Sequence, residues 1–463
     1  MSQLLFETDW LASRSVFYNE ADGRASHNVN DVIDFANVEF DPDGLNGFLD
    51  FGYAVFQRTP IRGVKFLAPS SRLFRETSGA LRIETDGDPV PHLLSHRRPE
   101  AEVIDVVRST VSAWERSTDG EIVIPTSGGF DSRLLNLMVA DRRRIRQFTF
   151  GRTSPQTAAE DVKRAASLAR RLGTRWEWVE LGDFHAFLPA WDEMFGVSAH
   201  AHGMYQMEFF SRVCARLGGG RPLLSGMCGD YFSGSGYFTR ECALVRRPAD
   251  LLDCFRVDMW HGDSAMSLLG GTGEPLAEYF EKHREAIADP IRRVVELVRT
   301  RIMLLSHLLR VPEHFGFSPR APFTDIDVAS AMLTVPTERR IDRVWLRDFF
   351  ESQGVSLESV RGASFVTLPY QAMRRVPLEP LDEELLREVV RPDYVRWINR
   401  NVGRIGQAWE GYSTLRRRRG FRRLLNLSAR LGVKEQRLPA YVAHMNLVPI
   451  QSLLRRRNRA RER

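Results

Sequence analysis

The chain has little that would assign its class at a glance. Its 463 residues include only four cysteines, Cys214, Cys228, Cys242 and Cys254, with no C-x-x-C pair. That usage indicates neither a zinc site nor a redox dithiol. It fits a reducing compartment, so a cytoplasmic location is expected. No apolar run approaches the roughly 20 residues of a membrane helix, and no membrane association is expected. The opening MSQLLFETDW lacks a basic segment followed by an apolar core, which argues against a signal peptide. No internal repeat is visible. Charge of one sign is in no great excess: the net charge is +6, with the basic surplus late, around residues 416–423 and 455–463. That surplus lacks the platform of interleaved aromatics that a nucleic-acid surface would use, and it reads as a solvated helix face. With 43% hydrophobic and 27% charged residues, the composition is that of an ordinary globular protein of about two or three domains.

One stretch stands out, residues 121–136, EIVIPTSGGFDSRLLN. The apolar run Ile122-Val123-Ile124 ends in Pro125-Thr126, the turn Ser127-Gly128-Gly129-Phe130-Asp131-Ser132 follows, and residues 134–140 suit a helix. Strand, glycine turn and helix in that order make an anion cradle. The glycines let the backbone approach closely, and the free N–H groups at the helix start point into the turn. Ser127 and Ser132 add hydroxyl donors. Asp131 alone would repel a phosphate, so its sensible role is to hold a Mg²⁺ that bridges phosphate oxygens. A second turn has the same design. The short strand Pro222-Leu223-Leu224 runs into Ser225-Gly226-Met227-Cys228-Gly229-Asp230. If the two turns meet at one site, Asp131 and Asp230 would share one Mg²⁺.

Around these turns the pattern predicts an α/β protein. Residues 1–95 read as a β-rich unit, with short runs at 15–18, 47–53 and 64–67 and a turn at Asp41-Pro42-Asp43-Gly44. Residues 92–100 suit a linker and 102–114 a helix. Strands at 147–151 and 176–181 bracket a helix at 160–173 that stops on Gly173, and another helix follows at 204–217. Alternating strands and helices imply a parallel sheet with helices on both faces and a ligand at the carboxyl ends of the strands. Beyond Cys242 the chain reads as helical, with a helix at 276–302 broken at Pro290, another at 341–353, and helix-compatible sequence from about 380. The domain plan is therefore 1–95, 96–380 and a basic helical extension, 381–463. His200 and His202 form an H-x-H pair, read as a pocket lining or surface loop in preference to a metal site, and Cys228 as a small buried filler.

The first turn, SGGFDS, resembles the loop of the PP-loop ATP pyrophosphatases. It is not a Walker loop, which needs Gly-Lys-Ser/Thr. More specifically, residues 96–380 resemble the synthetase half of the asparagine synthetase family. SGGLDS matches Ser127–Ser132, SGEGADELFGGY is similar to residues 225–237, and Glu160-Asp161 with Leu172-Gly173 match the acidic pair and the Leu-Gly end of the intervening helix. Arg320-Ala321-Pro322-Phe323-Thr324-Asp325 looks like R-x-P-F-L-D. Arg361 to Phe365 with Pro369 looks like R-x-x-x-F…P.

The resemblance implies ATP and Mg²⁺ as cofactors. Ser127, Gly128, Gly129 and Ser132 would bind pyrophosphate, Asp131 and Asp230 the metal, and backbone at Thr126, Phe150, Ser225 and Gly226 the nucleotide. It implies that a carboxylate is activated as an acyl-adenylate and attacked by ammonia or an amine. Residues 9–19 and 52–70 look like parts of the family's N-terminal glutaminase domain, whose nucleophilic Cys has no counterpart at Met1-Ser2, so no glutaminase activity is expected. Two positions depart from the pattern. Met227 replaces the Glu of SGEG, and Arg343 replaces the Lys of K-x-x-L-R, keeping the charge that would stabilise pyrophosphate. Met227, with Tyr231 and Phe232, suggests an apolar wall for a larger substrate, hence a specialised ligase. The alternatives are asparagine synthase proper, a non-catalytic nucleotide-binding relative and, last, a nucleic-acid-modifying enzyme.

Overall fold

Six short strands come first: β1 (Gln3–Glu7), β2 (Phe17–Asn19), β3 (Ala25–Ser26), β4 (Val64–Phe66), β5 (Ser71–Arg75) and β6 (Leu81–Thr85). They pair as two antiparallel sheets, β1-β5-β6 and β3-β2-β4. The computed structural model describes residues 2–95, 98–235, 245–256, 261–363, 367–402 and 436–463. The run at 47–53, expected to be a strand, is instead the later part of the helix Pro42–Phe51. Asp41 caps that helix, its carboxylate accepting the Gly44 N–H at 2.9 Å. Pro42 opens the first turn, and Leu45, Phe48 and Leu49 fall on one buried face. Asp-Pro-Asp-Gly is therefore a helix start and not a turn, because helical spacing of the apolar residues outweighs the local turn chemistry. The expected linker holds a short helix, Val90–Leu94, before the long helix Glu100–Arg116; residues 96–97 lie outside the described residues.

The core sheet has five parallel strands, β7 (Ile122–Pro125), β8 (Ile145–Thr149), β9 (Arg175–Trp178), β10 (Pro222–Leu224) and β11 (Ser318–Arg320). Their order is β11-β10-β7-β8-β9, with β7 in the middle. Ile122, Val123 and Ile124 are fully buried, as expected of a strand covered on both faces. The helix Glu160–Leu172 joins β8 to β9 and ends on Gly173 in the left-handed region, φ 68°. The expected helix at 276–302 is three pieces, Glu274–Lys282, Arg284–Ala288 and Pro290–Leu305. Asp289 caps the last of them by accepting the Ile291 and Arg292 N–H groups.

The C-terminal helix Arg437–Arg461 is not a solvated extension. Tyr441, Met445, Leu447, Ile450 and Leu454 are fully buried. It packs against the helix Pro392–Val402 and the turns Gly196–Ser198 and Ala201–Met204. Two of its arginines turn inward, Arg456 pairing with Asp192 at 2.8 Å and Arg457 with Glu388, while Arg455, Arg459, Arg461 and Arg463 stay exposed as expected of a solvated face, with Arg461 Nε donating to Ala36 O at 3.1 Å. Residues 416–423 and Cys242 lie outside the described residues.

Candidate active site

The first turn leaves the carboxyl end of β7 and enters the helix Phe130–Met138. Thr126 closes the strand. Its N–H donates to Phe148 O at 2.8 Å and its hydroxyl to Ile124 O at 2.9 Å. Asn136 Nδ2 donates to Thr126 Oγ1 at 3.1 Å and Gln147 Nε2 to Asn136 Oδ1 at 2.8 Å, so strand and helix hold the turn from both sides. The Ser127 and Ser132 hydroxyls stand 3.5 Å apart, and Ser127 Oγ accepts the Gly129 N–H at 3.2 Å.

Gly128 is left-handed, φ 69°, and a methyl there would lie 2.6 Å from Arg164 Cβ and 2.7 Å from the Arg164 carbonyl carbon. Conformation and space both require glycine. Gly128→Ala is expected to destabilise the protein by more than about 1 kcal/mol and to push the turn off the helix Glu160–Leu172. A melting curve identical to the parent's would show that the turn is not held in this way.

β10 lies beside β7, Leu223 opposite Val123, so the second turn rises next to the first. Ser225 N–H donates to Arg320 O at 2.8 Å, and Ser225 Oγ accepts the Met227 N–H at 3.3 Å. The two turns meet at Asp131. A methyl on Gly229 would sit 2.7 Å from Asp131 Cγ, and one on Gly226 3.3 Å from its Cβ. Burial pushes the Asp131 carboxyl up to about 8; the Asp230 charge pushes the same way and the Arg343 guanidinium opposes it. Burial raises Asp230 too, again against Arg343. Two neighbouring acids that resist ionisation suit a divalent cation, which would relieve both causes at once. Among the described residues no three His, Cys, Asp or Glu side chains converge as a metal site. Mg²⁺ commonly needs only one or two carboxylates, completing its shell with water and phosphate oxygens. The pair therefore fits Mg²⁺ in the presence of a phosphate ligand.

Arg343 arrives from a distant part of the chain. It opens the helix Val344–Ser352 at φ 55°, after Asp342 at φ 54°. Two consecutive left-handed residues with side chains are strained, and such strain gathers where a side chain must be aimed. The guanidinium lies 4.0 Å over the Phe130 ring. Among the described residues no hydrogen bond engages its N–H groups, and Nε is buried without an acceptor.

Phe150, just past β8, packs against Tyr205 and Phe209 with centroids 5.6 and 5.3 Å away. Among the described residues the expected apolar wall is not found. Met227 is 1% exposed, Phe232 0% and Tyr231 6%, so all three belong to the core, with Phe232 stacked on Trp10. His200 and His202 are not on a surface loop either. Burial pushes the His200 imidazole down to about 3 and His202 well below its ordinary value, and His200 Nδ1 accepts the His202 N–H at 3.1 Å. Arg320 and Asp325 pair at 3.1 Å, and Asp325 caps the helix Ile326–Leu333. Residues 236–237 and 364–366 of the matched patterns lie outside the described residues, but Glu160 N–H donates to Ala363 O at 3.0 Å. Sequence reasoning passed over Arg133. It is 1% exposed beneath the turn, donating to Gly128 O at 3.0 Å and pairing with Glu358 at 3.0 Å. Its place directly after SGGFDS was the available signal.

A family model described as asparagine synthase matches residues 105–352. The chain belongs to the asparagine synthase family. Every residue of the two turns, with Phe150 and Arg343, falls inside the asparagine synthase match, and residues 1–104 precede it. Among solved structures the chain is similar to a glutamine-dependent NAD+ synthetase from Acinetobacter baumannii in complex with adenosine diphosphate. The identity is 17% and the TM-score 0.23, over 37% of this chain and only 32% of that one. A likeness of that size says nothing about the site. No curated protein matches the chain.

Proposed function

We propose that this asparagine synthase-family chain activates a carboxylate with ATP as an acyl-adenylate, releasing pyrophosphate, and passes the acyl group to ammonia or an amine. The observation that carries this reading is that Asp131 and Asp230 neighbour one another with the Arg343 guanidinium close enough to bear on both charges, while among the described residues no hydrogen bond engages that guanidinium. A carboxylate oxygen attacks the α-phosphorus and the bond to the β-phosphate oxygen breaks. The amine then attacks the acyl carbon and AMP leaves. The protein's share is positioning and charge stabilisation. Backbone and hydroxyl donors of Ser127, Gly128, Gly129 and Ser132 hold pyrophosphate. Thr126, Phe150, Ser225 and Gly226 hold the nucleotide, and Arg343 faces the charge that develops on the leaving group. Mg²⁺ on Asp131 and Asp230 would neutralise phosphate charge. The nitrogen donor in this reading is ammonia or an amine, and glutamine is not expected to serve.

The test is exchange of labelled pyrophosphate into ATP with aspartate, uronic acids and acidic peptides, each with and without ammonia. Exchange that depends on a carboxylate is expected. No exchange with any acid, in protein that binds ATP, would favour a nucleotide-binding relative, and glutamate formed from glutamine would contradict the nitrogen assignment.

The acid pair also sets a pH dependence. The folded Asp131 carboxyl keeps its proton up to about 8, against an ordinary value of 3.8, so the folded state binds more protons across that window. Stability without metal is expected to fall as pH rises through it. Mg²⁺ displaces the proton, so the stabilisation it gives with ATP should grow with pH. Thermal melts across the window, with and without Mg·ATP, check both signs. Asp131→Asn should flatten the metal-free slope.

A further inference from the structure

Three arginines surround the Phe130 ring. The guanidinium carbon of Arg343 is 4.0 Å from its centroid, that of Arg133 5.3 Å and that of Arg347 6.0 Å, while Phe350 meets the ring edge-on at 5.6 Å. The three are not equivalent. Arg133 is committed to Glu358 and Gly128 O. Arg347 is exposed and farthest away. Arg343 is aimed by the left-handed pair 342–343 and, among the described residues, engages no hydrogen bond, so the ring is its seat. Contact with an aromatic face uses none of a guanidinium's five donors. A weakly hydrated arginine tolerates such a seat where a lysine ammonium prefers water.

We infer that Phe130 is the positioning residue for Arg343, holding its guanidinium beside Asp131 and Asp230 with its donors free for pyrophosphate. This rests on the ligase reading and adds how the charge is placed. The family pattern SGGLDS has leucine where Phe130 stands, and K-x-x-L-R has lysine where Arg343 stands. Phe130 and Arg343 touch each other and act as one pair: leucine has no π face to offer an arginine.

Titration of the full-length protein with inorganic pyrophosphate and Mg²⁺, by calorimetry, tests this. Phe130→Leu should weaken binding about tenfold, within the range of a partly desolvated cation–π contact. Phe130→Tyr, which keeps the ring, should recover most of that loss. In an Arg343→Ala background Phe130→Leu should cost nothing further. Parent-like affinity in Phe130→Leu overturns the inference, and so does an equal loss in the Arg343→Ala background, since the ring would then act through the fold. Should Phe130→Leu fail to fold, Phe130→Met takes its place in the same cycle. A parent protein that binds no pyrophosphate overturns the ligase reading and this inference with it, whereas parent binding with an unaltered Phe130→Leu sinks the inference alone.

Discussion

Asp131→Ala is expected to lower carboxylate-dependent pyrophosphate exchange on the order of 10³-fold, the scale on which loss of a group stabilising transition-state charge is felt. The cooperative melt should survive. Asp131 packs against Gly226 and Gly229, and a side chain on Gly229 could not be added without displacing it. Burial and the neighbouring Asp230 both disfavour its ionised form. Such a group contributes to function and not to stability. Removing one of two repelling acids should leave the melting midpoint at neutral pH unchanged or raise it. Asp131→Ala protein with parental exchange rates would end the phosphate-site assignment. A collapsed melt would mean that the acid is structural.

The second large effect is on folding. Deletion of residues 437–463 should leave a chain with no cooperative unfolding transition. Tyr441, Met445, Leu447, Ile450 and Leu454 are each fully buried, and burying a side chain of that size contributes about 1.5–3 kcal/mol. Five of them rival the roughly 5–15 kcal/mol by which a domain is stable at all. Polar ties would go as well. His185 Nε2 lies 3.2 Å from Tyr441 OH, His444 Nε2 2.9 Å from Glu379 O, and Asp382 N–H donates to Gln451 Oε1 at 2.6 Å. Leu454→Ala is the graded version and should cost about 2–5 kcal/mol. Circular dichroism against temperature decides. A truncated protein melting at the parental midpoint would show that the helix is an appendage after all.

The parts of the site legible in the sequence were the local ones. Each turn declares itself within a dozen residues as a buried strand, glycines and an acid, and the helix Glu160–Leu172 could be placed to within a residue because Gly173 ends it. What local pattern cannot carry is contact between distant segments. Nothing near Phe130 announces Arg343, and Met227 looked like a substrate wall because its neighbours in sequence are catalytic candidates while its neighbours in space are core. The helix Arg437–Arg461 was expected, but the burial of its apolar face is hidden for a related reason. Arginines, asparagines, histidines and a proline dilute its apolar residues, and the partners that neutralise those polar groups, Asp192, Glu388 and Glu379, lie elsewhere in the chain. The helix Pro42–Phe51 was legible in principle, through Asp41 and the spacing of Leu45, Phe48 and Leu49, but the glycines around it pointed to turns.

The pairing of β7 with β10 has a consequence for how such a chain can change. Neighbouring strands are separated by about 4.8 Å, a spacing fixed by main-chain hydrogen bonds and indifferent to side chains. Asp131 and Asp230 stand in the first turns of the helices that follow those two strands, so the gap between them is set by the backbone of strand, turn and helix start. Whatever the intervening chain does, including the crossover through β8, β9 and the helix Tyr205–Leu217, it lengthens or reshapes the rim without moving the acids. Mutation can thus redraw the surrounding loops while the two carboxylates keep their separation, and on the ligase reading new specificities are open to this scaffold without the acid pair having to be rebuilt.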